Sequence, residues 1–237
     1  MTIVLFLGFM LGLQHALEAD HVAAVASLAS RHTSLRRIVR HGWVWGVGHM
    51  LTLTAFAGIV LLSGGTVGPH LATWLEFIVG LMLVALGLNV LYRLYRDRVH
   101  FHMHWHHDGK THLHAHSHAE ETVPHAQSPH DHTHDSRFPL RSLFIGMMHG
   151  VAGSAALVLL AAGSLASPVE GLAYVVVFGV GSVLGMALFS AAIAVPLTAS
   201  ARLLTWTNRG LQTAIGLGSS VIGVTIILDS RSLLFTL

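Results

Sequence analysis

The chain has no cysteine among its 237 residues, and only 10% of them are Asp, Glu, Lys or Arg. The first absence excludes disulfides and thiolate metal ligands. The second sets the chain apart from soluble domains, in which about 25% of residues are charged. Hydrophobic residues make up 53% of the chain, and the mean hydropathy is +0.64. A packed water-soluble core cannot hide that much apolar surface, so a lipid bilayer is the expected solvent. A net charge of +2 argues against a nucleic-acid partner. The start of the chain lacks a basic stretch, and its apolar run is interrupted by acidic and histidine residues, so a cleaved signal peptide is not expected.

Long apolar runs are abundant. A membrane helix needs roughly 17–25 apolar residues, and six runs qualify: Ile3–Ala29, Trp43–Leu62, Leu71–Leu94, Leu140–Leu165, Val169–Leu197 and Leu211–Leu228. The expected fold is therefore all-α, a polytopic membrane protein with six transmembrane helices. Basic residues cluster in the first, third and fifth connections, and of the 13 only Arg231 falls on the other side. By the positive-inside rule those connections are cytoplasmic and both termini extracytoplasmic. The expected location is a bacterial-type cytoplasmic membrane.

The two halves of the chain are alike. Gly12-Leu13-Gln14-His15 matches Gly146-Met147-Met148-His149, and Gly46-Val47-Gly48-His49 matches Gly179-Val180-Gly181-Ser182. Gly80-Leu81 and Gly87 match Gly216-Leu217 and Gly223. The offsets are 134, 133 and 136 residues, in order along the chain. Three matches at nearly one offset predict a duplication, and three spans per half make the repeats inverted, as in many secondary transporters. The expected organisation is a first three-helix repeat over 1–99 that carries a metal motif, a cytoplasmic histidine-rich loop over 100–137, and a second repeat over 138–237.

The first run contains His15, Glu18, Asp20 and His21, where a membrane helix should carry no ionisable group. A charge at a helix centre costs about 2.5–3.5 kcal/mol on insertion scales, so such groups persist when paired, metal-bound or facing a cavity. At about 100° per residue His15, Glu18 and His21 share one stripe, while Asp20 falls on another face unless the helix breaks. Imidazole and carboxylate donors suit Ni²⁺, Co²⁺, Zn²⁺ and Cu²⁺ better than Mg²⁺ or Ca²⁺. His49, beside the close-packing Gly46 and Gly48, and His149, beside Gly150, are further candidate ligands. Glu76, near the end of its run, reads as a carboxylate that reaches the interface.

Between positions 100 and 134 there are 13 histidines, including His102, His104, His106, His112, His114, His116 and His118. This segment has little apolar content, and is expected to be disordered and to serve as an accessory metal-binding loop. Two enzyme readings fail. A zinc-protease helix needs histidines four apart, whereas His15 and His21 are six apart. Gly109-Lys110-Thr111 echoes a phosphate loop, but His104 stands where its first glycine is required.

The motif His15-Ala16-Leu17-Glu18-Ala19-Asp20-His21 resembles the signature of the nickel/cobalt transporter family, with Gln14 in place of an arginine and Glu18 in place of an aspartate. Gly48-His49 resembles that family's next-helix element. Along nearly the whole chain the likeness is to its shorter six-helix branch, the urease accessory membrane proteins, through Met148-His149-Gly150-Val151-Ala152-Gly153-Ser154-Ala155-Ala156-Leu157. The acidic second signature of the eight-helix members is absent. The resemblance implies a non-enzymatic permease for Ni²⁺ or Co²⁺, with Zn²⁺ also suited to the donors. His15, Asp20 and His21 would be essential, His49 contributory, and no prosthetic group is needed. Its implied partners are the bilayer, the transported ion, and cytoplasmic nickel chaperones or urease accessory proteins. Uptake is the expected direction; efflux, or a membrane-anchored nickel donor, is the alternative.

Overall fold

In a computed structural model, the structure describes residues 1–30, 32, 34–64, 67–96, 100–105, 111–116, 139–151, 158, 161–203 and 205–235. The apolar runs fold into helices: α1 (Thr2–His15), α2 (Ala19–Ala29), α3 (Leu35–Ser63), α4 (Pro69–Arg96), α5 (Leu140–His149), α6 (Pro168–Leu203) and α7 (Thr205–Phe235). Four of them, α3, α4, α6 and α7, are long and apolar enough to cross a membrane, and α1 with α2 forms a fifth candidate as one span bent by 56°. The chain is a multi-pass membrane protein. Of the expected span Leu140–Leu165, residues 152–157 and 159–160 lie outside the described residues.

Burial is inverted relative to a soluble protein. Ile3, Ile59, Leu62 and Leu188 face outward with two-thirds or more of their surface exposed, as expected toward lipid. The interior holds His15, His21, His49, His149, Ser27, Ser182 and Ser190 beside Trp45, Leu53, Leu83 and Met186. Helices associate in lipid where small residues let backbones approach closely, and the pattern here is reciprocal between the halves. On α1, Gly12 lies against the backbone of Phe178 of α6; on α5, Gly146 lies against the backbone of Trp45 of α3. Gly181 of α6 abuts Phe9 and Leu13, while Gly48 of α3 abuts Leu143 and Met147. Gly80 and Gly87 of α4 meet the backbones of Gly223 and Gly216 of α7. A methyl group at position 146 would overlap the Trp45 carbonyl. Overpacking of this kind costs about 1–3 kcal/mol, so Gly146→Ala is expected to lower the thermal unfolding midpoint of the purified protein in detergent. An unchanged midpoint would contradict this packing.

No glycine or proline lies between Gly12 and Gly42, so backbone propensity does not explain the break in the first span. Local polar groups take up its loose ends instead. The amides of Leu17 and Glu18 donate to the carbonyls of Gln14 and His15 at 2.9 and 3.0 Å, a tightened last turn. Glu18 is extended (φ −62°, ψ 147°) at the N-cap of α2, and Asp20 follows in the first turn, where a carboxylate complements the helix dipole. The His21 amide donates to Asp20 Oδ1 at 2.9 Å. Farther along α2, a hydrogen bond between the Ser27 and Ser219 hydroxyls (2.8 Å), and one from Ser219 to the Ala23 carbonyl (3.1 Å), tie this half-helix to α7.

Within the histidine-rich segment, His100–Trp105 (β1) and Thr111–His116 (β2) pair as an antiparallel hairpin, where disorder was expected; the membrane-spanning architecture is helical, as expected. The register pairs His100 with His116, His102 with His114, and His104 with His112. His106 and His118 lie outside the described residues.

Candidate metal centre

Four backbone elements converge at the break. The last residue of α1 is His15, the N-cap of α2 is Glu18, and its first turn carries Asp20 and His21. His49 projects from the middle of α3, one turn from the close-packed Gly46, and His149 ends α5. The four imidazoles are 1–4% exposed. The His15 ring centroid lies 4.1 Å from that of His21 and 5.3 Å from that of His49; His21 to His149 is 4.3 Å.

Asp20 organises one side. Its Oδ1 lies 3.0 Å from His21 Nδ1, and its Oδ2 lies 2.9 Å from His149 Nε2. An ionised carboxylate only accepts, so both facing ring nitrogens donate N–H groups to it. That leaves the lone pairs of the neutral rings on His21 Nε2 and His149 Nδ1, both buried and without a hydrogen-bond partner among the described residues. His49 Nδ1 is in the same situation. Unsatisfied buried polar atoms are uncommon in native interiors and call for an explanation. On the other side, His15 Nδ1 lies 2.9 Å from Glu18 Oε1, and His15 Nε2 lies 3.3 Å from His49 Nε2. Two nitrogens each about 2.1 Å from a tetrahedral ion stand about 3.4 Å apart, so this second spacing matches a shared cation.

Two groups of donors have ligand atoms within 4.8 Å of one another and could hold a metal ion: His15, His21 and His49, and Asp20, His21 and His149. Five of the six candidate ligands read from the sequence, His15, Asp20, His21, His49 and His149, fall in these two groups. The helix break brings Asp20 onto the imidazole side. Glu18 reaches His15 but is 45% exposed and in neither group. Glu76 lies on α4 and also belongs to neither.

A cavity of about 510 Å³ reaches the centre from one side and is lined by Leu11, Gln14, His15, Leu17, Glu18, Val158, Ala161, Tyr174 and Phe178. Two aromatic residues escaped the reading of the sequence. Phe178 packs on His15 at 5.2 Å between centroids. Trp45, fully buried, packs against His21 and His149 at 5.5 Å and His49 at 6.1 Å. The signal for Trp45 was its position four residues before His49, on the same helix face. For Phe178 it was the 133-residue offset between the matching segments, by which it aligns with Trp45.

No protein-family model matches the chain, and no solved structure matches it. A curated relative does: "Urease accessory protein UreH" of Bacillus sp. (strain TB-90) is 37% identical over 222 residues, covering 93% of this chain and 89% of the relative. The buried His/Asp motif and a likeness that runs through nearly the whole of both chains lead to one assignment: the chain belongs to the UreH-like, urease-accessory branch of the nickel/cobalt transporter family.

Proposed function

We propose that the protein is a secondary permease that carries Ni²⁺ or Co²⁺ across the cytoplasmic membrane, in the direction of uptake, and is not an enzyme. The observation that carries this reading is the set of four buried imidazoles and one carboxylate at a broken membrane helix, reached by a cavity from one side. The ligands are His15, His21, His49, Asp20 and His149, with Glu18 at the mouth. Family membership supports nickel handling, and the name of the relative ties that protein to urease. Inward movement of a divalent ion down 100 mV gains roughly 4.6 kcal/mol, so no ATP need be coupled.

The frame of the permease is a pair of inverted three-helix repeats with six spans, both termini extracytoplasmic. The reciprocal packing supports this. The contact of Gly12 with Phe178 has its counterpart in that of Gly146 with Trp45, and the contacts of Gly48 and Gly181 exchange likewise. On this orientation the cavity opens outward, since Leu11 lies before His15 on a helix that enters from outside. The deciding experiment is nickel uptake into proteoliposomes under an imposed potential, with competing ions. Accumulation without ATP, inhibited by Co²⁺ and not by Mg²⁺ or Ca²⁺, is expected. No accumulation above empty liposomes would overturn the reading.

The histidine-rich hairpin is the cytoplasmic accessory site, which receives or buffers the ion. Deleting residues 100–134 is expected to leave uptake in place and to remove the part of nickel binding that is lost between pH 7 and 5. A free imidazole protonates near pH 6.5, and a protonated ring cannot ligate. Loss of all uptake at normal expression would place the hairpin in the permeation path instead.

A further inference from the structure

We infer that the ion occupies two successive stations that share the ring of His21, the first formed by His15, His21 and His49 and the second by Asp20, His21 and His149. The inference rests on the permease reading above. A single imidazole has two nitrogens on different edges, and here each edge faces a different ligand group. His21 Nδ1 is held 3.0 Å from Asp20 Oδ1, whereas His21 Nε2 has no hydrogen-bond partner among the described residues. The first station takes Nε2. Asp20 then acts from behind, holding the ring by its N–H, as carboxylates commonly do for metal-bound histidines. In the second station Asp20 is itself a ligand, beside Nδ1 of His21 and Nε2 of His149.

The transfer balances without a net proton. At the second station the ion takes the places of the two protons that His21 Nδ1 and His149 Nε2 donate to Asp20. Those protons reappear on His21 Nε2, which the ion has just left, and on His149 Nδ1. Both rings stay neutral and change tautomer, and Asp20 exchanges two N–H donors for the cation.

The stations also face different ways. The first adjoins the cavity: His15 lines it and packs on Phe178, which lines it too. Neither His149 nor Trp45 lines that cavity, and Trp45 is fully buried against His21 and His149. The repeat offset carries His15 onto His149 and Trp45 onto Phe178. Each station thus ends in a histidine backed by an aromatic ring, one beside that cavity and one away from it. An ion handed from one station to the other crosses readily when their affinities are similar, since a much tighter one would trap it.

Trp45 supplies the probe. Bound Ni²⁺ quenches a nearby indole, and subtracting the signal of Trp45→Phe removes the contributions of the other tryptophans, including Trp105 in the hairpin. Nickel titration of the full chain in detergent is expected to give a quench midpoint within about tenfold of wild type in His15→Ala and in His149→Ala, since each keeps one station. His21→Ala and the double variant His15→Ala/His149→Ala are expected to lose the quench. Both single variants are expected to lose at least about tenfold in proteoliposome uptake, because the stations act in series. His149→Asn, whose amide can still donate to Asp20, repeats the measurement if the alanine variant does not fold. If either single variant loses the quench as fully as His21→Ala, there is one site and the proposal falls. If the quench pattern holds while wild-type liposomes accumulate no nickel, the two stations stand and the permease reading falls.

Discussion

Nickel uptake by cells that express His21→Ala should fall at least about 10–100-fold below wild type, because even an outer partner of a metal ligand is typically worth that much. His21 is 1% exposed and is the one residue common to both ligand groups. Its ring centroid lies within 4.1–5.1 Å of those of His15, His49 and His149. Removing it deletes a ligand and leaves Asp20 Oδ1 without its ring partner. Uptake must be normalised to protein in the membrane, and His21→Gln separates ligand loss from loss of packing volume, since glutamine fills much of the space and ligates poorly. Wild-type accumulation by either variant at equal expression would remove His21 from the path.

Asp20→Asn should be nearly as damaging, although it changes a single atom. The carboxylate accepts from two imidazoles at once, 3.0 and 2.9 Å away. An amide offers one oxygen and one N–H₂ group, so one ring must either meet a donor with its own N–H or switch tautomer and carry its proton on the buried, unpartnered nitrogen. A buried polar group left unsatisfied costs about 1–3 kcal/mol, which is roughly 5- to 150-fold in an equilibrium. The lost negative charge adds to that wherever a divalent cation sits beside it. Apparent nickel affinity from initial uptake rates is the measurement, and Asp20→Glu is the companion variant. It keeps the charge but moves it about one methylene too far, and should fall between wild type and Asp20→Asn. Uptake by Asp20→Asn equal to that of wild type would mean that the carboxylate neither orients the rings nor meets the ion.

Much of this site was legible in the chain before any coordinates. His15, Glu18, Asp20 and His21 stood out because each is costly in a membrane helix, and cost is a local property of sequence. His49 and His149 were weaker signals, since a lone buried histidine is often a satisfied core residue. Only the convergence of α3 and α5, through Gly48 and Gly146, moves them to the break. Trp45 and Phe178 were invisible for the opposite reason: an aromatic residue in an apolar helix costs nothing and draws no attention. The pairing of His100–Trp105 with Thr111–His116 was not legible, because an alternating pattern suits an extended chain whether or not a second strand pairs with it.

What the sequence by itself determined is the solvent and the chemistry. Apolar runs too long and too many for a soluble core require a bilayer, the absence of cysteine leaves nitrogen and oxygen as metal donors, and four ionisable groups in one span mark where function must lie. What only the tertiary structure decided is the place of Asp20. On a straight helix it points away from His15 and His21, because about 100° per residue allows nothing else. The 56° bend between α1 and α2 turns it back toward the rings. No glycine or proline encodes that bend. It coincides with contacts from other helices, His149 on one side and the Ser219 latch on α2 on the other, which lie 129 and 192 residues away in the chain.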